Sequence, residues 1–168
     1  MFYEAFNCSN VVKLIVGGEA AKMGEFPHHA LLGYVDEQAE TSAWGQYKFN
    51  CGGSLISDRF VVTAAHCFSF ADPVIVRLGE HDLDAVESNR VDFDIAQITR
   101  HPLYRNSRSY HDIALVRLNG TTVIDPRSCI YHVIGVTSTG GACGIGLSKA
   151  IYINVMKYLD WIEQTVWQ

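Results

Sequence analysis

"VVTAAHCFSF", residues 61–70, decides how the rest of the chain is read. An apolar run suited to a strand ends in a pair of alanines. The small-residue turn that follows presents His66, with Cys67 directly behind it. A lone histidine at a strand end is in most proteins a packed structural residue. This one is fixed beside a cysteine, so the question is what it would work with and whether the chain contains it.

Working outward, short strand-like runs separated by turn signals fill the first two thirds. "HALLGYV", "GGSLIS", "FVVTAA", "VIVRLG", "VDFDIAQI" and "DIALVRL" are rich in Val, Ile, Leu and aromatics. Their spacing predicts an all-β barrel or sandwich. The tail "AIYINVMKYLDWIEQTVWQ" changes period. Val155, Leu159, Ile162 and Val166 recur at helical spacing, which predicts a strand followed by an amphipathic helix. There is no internal repeat, coiled coil or low-complexity tract, and "IVGG" and "STGGACG" lack the spacing of a phosphate-binding loop.

With 168 residues, 48% of them hydrophobic and 18% charged, the chain is long and apolar enough for a packed core. The formal charge of −5 is spread along the sequence with no basic stripe, which argues against a nucleic-acid surface. No apolar run approaches the ~20 residues of a membrane span. The start, "MFYEAFNCSNVVKL", does not read as a signal peptide. Yet five cysteines (Cys8, Cys51, Cys67, Cys129 and Cys143) and sequons at Asn7 and Asn119 favour a secreted context. A chain of that kind without an export signal is expected to have something missing upstream. The odd cysteine count leaves at least one thiol without an intramolecular partner.

Four stretches, in order, carry a resemblance: "IVGG" from Ile15, "CGGSLIS" from Cys51, "TAAHC" from Thr63 and "HDIALVRL" from His111. A fifth is the ending "VIGVTS…ACGIG…AIY…YLDWIE". Together they resemble the chymotrypsin and trypsin family of serine proteases. In "EFPHHALLGY", "RLGEHDLD" and "YLDWIEQTVW" the chain is most similar to the insect clip-domain group, of the snake and easter type.

The resemblance implies a chymotrypsin-like double β-barrel with the first barrel complete over 15–120. It implies a light-chain or propeptide remnant at 1–14, and a truncated second barrel plus a C-terminal helix at 121–168. His66 is then the general base and Asp112 the acid that fixes its tautomer, two members of the serine–histidine–aspartate triad for which this family is the type case. Cys51 and Cys67 resemble the disulfide that staples the histidine loop, closing about sixteen residues for ~3 kcal/mol in the chain-entropy model. Ser54 matches a buried structural serine near the acid. Ser138, Thr139 and Gly140 match the segment that pairs with substrate backbone, although Thr139 departs from the usual aromatic. The bond between Leu14 and Ile15 matches the activation cleavage site, with Leu14 where a basic residue is usual.

The third triad member is missing. No serine in the chain has a G-x-S-x-G setting, and "LNGTTV" passes directly to "IDPRSCIYHVIGVTS" where the family would continue through its nucleophile loop. The resemblance therefore implies an internal deletion that removes the serine, the oxyanion-hole amides and the pocket floor. The result is a truncated, alternatively spliced or mis-assembled endopeptidase without activity. Cys143 resembles a pocket cysteine whose partner lies in the deleted block. Cys8 resembles the cysteine that tethers a propeptide, and Cys129 is either its partner or part of the later strand. The loop "EHDLDAVESNR" resembles a calcium loop in which Glu80, Asp82, Ala85 and Glu87 match ligand positions. Its last carboxylate position is Arg90, so no metal is expected, and no cofactor. Partners implied are a protein or peptide substrate in intact members and an upstream activating protease, in an extracellular cascade. The rival class is a non-catalytic homologue acting as a regulatory binding partner.

Overall fold

Alternation and two-sided burial explain the strands. In the computed structural model, which describes residues 21–37, 47–83, 89–123, 131–140 and 149–167, every strand-like run becomes a strand. These are β1 (His29–Val35), β2 (Tyr47–Leu55), β3 (Phe60–Thr63), β4 (Ile75–Leu78), β5 (Val91–Arg100) and β6 (Ala114–Leu118). They close an antiparallel barrel in the order β1-β2-β3-β6-β5-β4. β1 seals it by pairing with both β2 and β4.

β3 is buried at all four positions because it is covered on both faces. Val61 joins Leu32, Val76, Val116 and Phe68 inside the barrel. Phe60 and Val62 point outward and meet Ile113, Leu115, Ile153, Val155 and Ile162 in a second cluster. This is the physical meaning of the unbroken apolar run in "FVVT". The glycines of "CGGSLIS" have a packing reason at Gly53, where an added Cβ would lie 2.6 Å from the Val62 carbonyl oxygen.

The C-terminal part covers that outer cluster. β7 (Gly135–Gly140) and β8 (Ala150–Asn154) form a two-stranded antiparallel sheet. A 3₁₀ turn (Val155–Tyr158) leads into α1 (Leu159–Val166). Asn154 starts this turn, its side-chain oxygen accepting from the Met156 N–H at 3.1 Å. Val155 and Ile162 are buried as the period predicts, but Leu159 is 44% exposed. The reason is the 3₁₀ turn: three residues per turn instead of 3.6 shift the phase, and Tyr158 and Trp161 pack inward instead. Among the described residues the second sheet stays at two strands and closes no second barrel. The mostly β fold, with one closed barrel and a C-terminal helix, agrees with the truncated double-barrel expectation.

Candidate active site

His66 sits in a one-turn 3₁₀ helix (Ala65–Phe68) directly after β3. Two contacts fix that turn, and a third holds the end of β3 that leads into it. The Cys51–Cys67 disulfide ties it to β2, with the two Cα atoms 6.1 Å apart. The Tyr34 hydroxyl donates to the Cys67 carbonyl at 2.9 Å, and the Thr63 hydroxyl to the Gly52 carbonyl at 2.7 Å. Burial, and then the charge of Asp72, push the Tyr34 hydroxyl up to about 12, so it remains a donor at any ordinary pH.

Asp112 lies just before β6 and is 2% exposed. Its carboxylate grips the histidine at two points. Oδ1 accepts from the His66 backbone N–H at 2.8 Å, and Oδ2 lies 2.8 Å from His66 Nδ1. Oδ2 also accepts from the Ser138 hydroxyl at 2.5 Å. A carboxylate that only accepts assigns the ring proton to Nδ1, which leaves the Nε2 lone pair free to take a proton. The acid is buried and the imidazole side chain 43% exposed, which suits a held orienter and a base open to a reactant.

Ser138 reaches the acid because β7 is irregular there. Thr137 pairs with Tyr152 and Thr139 with Ile151, so Ser138 is the extra residue of a bulge and its side chain turns inward. Thr139 and Gly140 stay exposed on the same strand. The expectation from sequence put Ser54 near the acid. Ser54 is half-buried rather than buried and lines the cleft from β2, and the serine bonded to Asp112 is Ser138. No local pattern flags a bulge, so the sequence carried no signal for this role.

A cleft of about 420 Å³ opens beside His66, between β2 and β7, lined by Ser54, Ser138, Thr139 and Gly140 among others. A second hollow of about 680 Å³ lies on the other side of the disulfide, bordered by Tyr34, Asp36, Lys48, Asp72 and the fully exposed Phe70. Cys51, His66 and Cys67 bring ligand atoms within 4.8 Å of one another, but both sulfurs are spent on the disulfide.

Of the loop compared with a calcium site, only the two ends, with Glu80, Asp82 and Arg90, fall within the described residues. Glu80 Oε2 faces two guanidinium groups, Arg77 Nη1 at 3.3 Å and Arg90 Nη1 at 3.8 Å. Arg77 is the partner that the sequence motifs did not reveal. It is only 4% exposed within β4, forks onto Asp92 at 2.7 and 2.9 Å, and stacks over Phe49. The Asp92 hydrogen bond holds its guanidinium above the usual arginine range. Glu80 Oε1 is buried without a partner. Asn119 is exposed just past β6. Leu14, Ile15, Cys8, Asn7, Cys129, Cys143, Ala85 and Glu87 lie outside the described residues.

A buried aspartate that grips a histidine on a disulfide-tied turn, at one end of a six-stranded barrel, has its counterpart in a known family. A family profile described as Trypsin matches residues 15–129, more than half of the chain. The chain belongs to the trypsin family. This trypsin-family chain is 43% identical over 113 residues to the serine protease snk of Drosophila melanogaster, covering 66% of this chain and 26% of that protein. It is 37% identical over 131 residues to CLIP domain-containing serine protease B4 of Anopheles gambiae, covering 69% and 35%. It is 38% identical over 123 residues to cationic trypsin-3 of Rattus norvegicus, covering 68% and 44%. It thus spans less than half the length of each of these relatives. Among the described residues no helix is long and apolar enough to cross a membrane.

Proposed function

We propose that the chain is a trypsin-family serine endopeptidase domain that keeps its base, His66, and its orienting acid, Asp112, but lacks the nucleophile and does not itself hydrolyse peptides. One observation carries this reading: the two-point His66–Asp112 grip, with contacts of 2.8 Å, in a chain whose sequence has no G-x-S-x-G setting. A base without a hydroxyl to deprotonate leaves peptide hydrolysis without its covalent step.

In this reading residues 15–120 are the first barrel of the protease domain. Residues 1–14 are a light-chain remnant, and residues 121–168 keep the rear wall of the second barrel and the closing helix. The bond between Leu14 and Ile15 is the activation site, cut by an upstream protease. Ser138, Thr139 and Gly140 would pair with substrate backbone. The disulfide and the similarity to snk and to a clip-domain protease support a secreted protein of an extracellular cascade. The missing nucleophile block marks the chain as a truncated form. A second reading, a non-catalytic regulatory binding partner, draws support from the open cleft beside His66, where exposed Thr139 and Gly140 offer a strand edge to an extended peptide.

One fluorophosphonate experiment tests the first reading. The chain should remain unlabelled, and stoichiometric labelling of any serine would overturn the claim. In parallel, a chimera carrying a relative's segment between Val123 and Ile130, cleaved after Leu14, should label and hydrolyse peptides. In that chimera His66→Ala and Asp112→Asn should each lower turnover on the order of 10⁴-fold. An active chimera indifferent to His66→Ala would remove His66 from the role of base.

A further inference from the structure

We propose that His111 is a positioning residue for the Asp112–His66 pair, held in place by the start of the C-terminal helix through Tyr158. The proposal rests on the reading of Asp112 and His66 as acid and base, and adds a residue that touches neither substrate nor the reacting nitrogen.

The first observation is backbone geometry. His111 has φ of 59°, the one non-glycine residue with positive φ among the described residues. It directly precedes Asp112. The Ile113 N–H donates to the His111 carbonyl at 2.8 Å, making a three-residue turn centred on Asp112. The Ile113 carbonyl in turn accepts from the His101 N–H at 3.0 Å. The direction in which the carboxylate leaves the backbone is therefore set by the turn that His111 opens. A histidine keeps a left-handed backbone only where its surroundings over-determine it, and such residues gather at functional sites.

The second observation is what over-determines it. The His111 ring stacks on His101 at 4.9 Å with the planes 8° apart. The Tyr158 hydroxyl lies 3.1 Å from His111 Nδ1, with the tyrosine ring edge-on at 5.8 Å. His101 is braced by Tyr158 at 5.1 Å and by Trp161 at 5.0 Å, both edge-on. Tyr158 ends the 3₁₀ turn and Trp161 lies in the first turn of α1. A chain of contacts thus runs from α1 to His111 and, across one peptide bond, to Asp112.

The third observation is how little slack the acid has. Asp112 takes three donors on two oxygens at 2.5 to 2.8 Å, and a small rotation of the turn would break at least one of them. Packing of the helix alone would need neither the left-handed backbone nor a hydroxyl aimed at an imidazole nitrogen.

The test uses the full chain and the proton NMR signal of His66 Nδ1–H. A proton donated to a carboxylate resonates far downfield and survives only while the bond shields it from solvent. His66→Ala assigns it. In Tyr158→Phe, which keeps the ring, we expect this proton to exchange about five- to tenfold faster, the factor of one lost neutral hydrogen bond. His111→Gly tolerates the backbone but loses the clamp, and should abolish the signal. His111→Asn, which accepts left-handed backbone and can still bond the Tyr158 hydroxyl, should restore part of it. Backbone amide exchange in β6 reports that the barrel remains folded in each variant. An unchanged signal in both Tyr158→Phe and His111→Gly would reduce the cluster to packing and overturn the proposal alone. A signal absent from the unaltered chain would mean the His66–Asp112 bond does not form, and the proposed function would fall with it.

Discussion

The barrel and the C-terminal segment are built on different terms. The barrel has no free edge, because β1 pairs on both sides, and its interior residues Leu32, Val61, Val76 and Val116 are all at 0% exposure. Among the described residues the β7–β8 sheet has two strands, each with one buried residue, Ser138 and Ile153, while Ile151 and Tyr152 are more than half exposed. A two-stranded sheet is marginal by itself and lives here by its contact with the outer faces of β3 and β6. Yet the acid needs both regions: Asp112 belongs to the barrel, and Ser138, which completes its hydrogen bonding, belongs to the thin sheet. Stability resides in one region and the last touch of orientation in the other, so they should be separable.

The largest expected effect draws that line. Leu32→Ala opens a cavity inside the closed barrel and should cost about 2–5 kcal/mol, lowering every probe of folding together. Ile153→Ala empties part of the outer cluster. It should release amide protection in β7, β8 and α1 while β3 and β6 stay protected. If native-state hydrogen exchange showed β7 and β8 opening only with the barrel, the two regions would be one cooperative unit and the contrast would be wrong.

The disulfide gives a smaller effect that sharpens the same contrast, because it lies wholly on the barrel side. Cys51 and Cys67 are 16 residues apart, so replacing both with alanine should lower stability by ~3 kcal/mol in urea titrations. The loss should appear in the barrel's unfolding and leave the Ser138–Asp112 contact formed below the midpoint. A local loss confined to β7 and β8 would place the disulfide's influence in the wrong region.

These differences follow what the sequence could carry. The barrel was legible because its information is local: "FVVT" and "IALV" are apolar without alternation, which is what a strand covered on both faces requires. His66, Asp112 and the cysteine pair were legible through the motifs around them. The Ser138 bond was not, since it depends on a bulge in the register between β7 and β8, a tertiary property with no residue-level mark. Arg77 was hidden for a related reason. One charge inside "VIVRLG" reads as the solvent-facing member of an alternating strand, and only folding brings Glu80 and Asp92 to bury it. The His101–His111–Tyr158 cluster was equally hidden, because Tyr158 and His111 are 47 residues apart and the phase of the helix was set by a 3₁₀ turn.

The smallest expected effect is pH dependence, and it too differs between the regions. His101 sits under α1 with its pKa lowered from 6.5, first by burial and then by the neighbouring charge of His111. His28 and His29, at the start of the barrel, are also lowered from 6.5 by burial. The sign follows from linkage: the unfolded imidazole binds a proton near pH 6.5 while the folded one resists. The stability these groups contribute is therefore complete above pH 6.5 and declines as pH falls below it toward their folded values. Carboxylates titrate mainly near pH 4, so a scan from pH 7 to pH 5 isolates the histidines. Protonating His101 places a charge against the stacked His111 ring, 4.9 Å away, and brings a hydrated cation's desolvation cost into the cluster with Tyr158 and Trp161, which meet it in T-shaped contacts. Amide protection in α1 should accordingly fall across this window before that of β3. His101→Phe keeps a flat ring and should remove the fall in α1. The residual pH dependence of the barrel, carried by His28 and His29, should persist in that variant. If α1 lost protection with the same pH profile in His101→Phe, the titrating group would lie elsewhere, and the C-terminal segment would respond to acid only through the barrel beneath it.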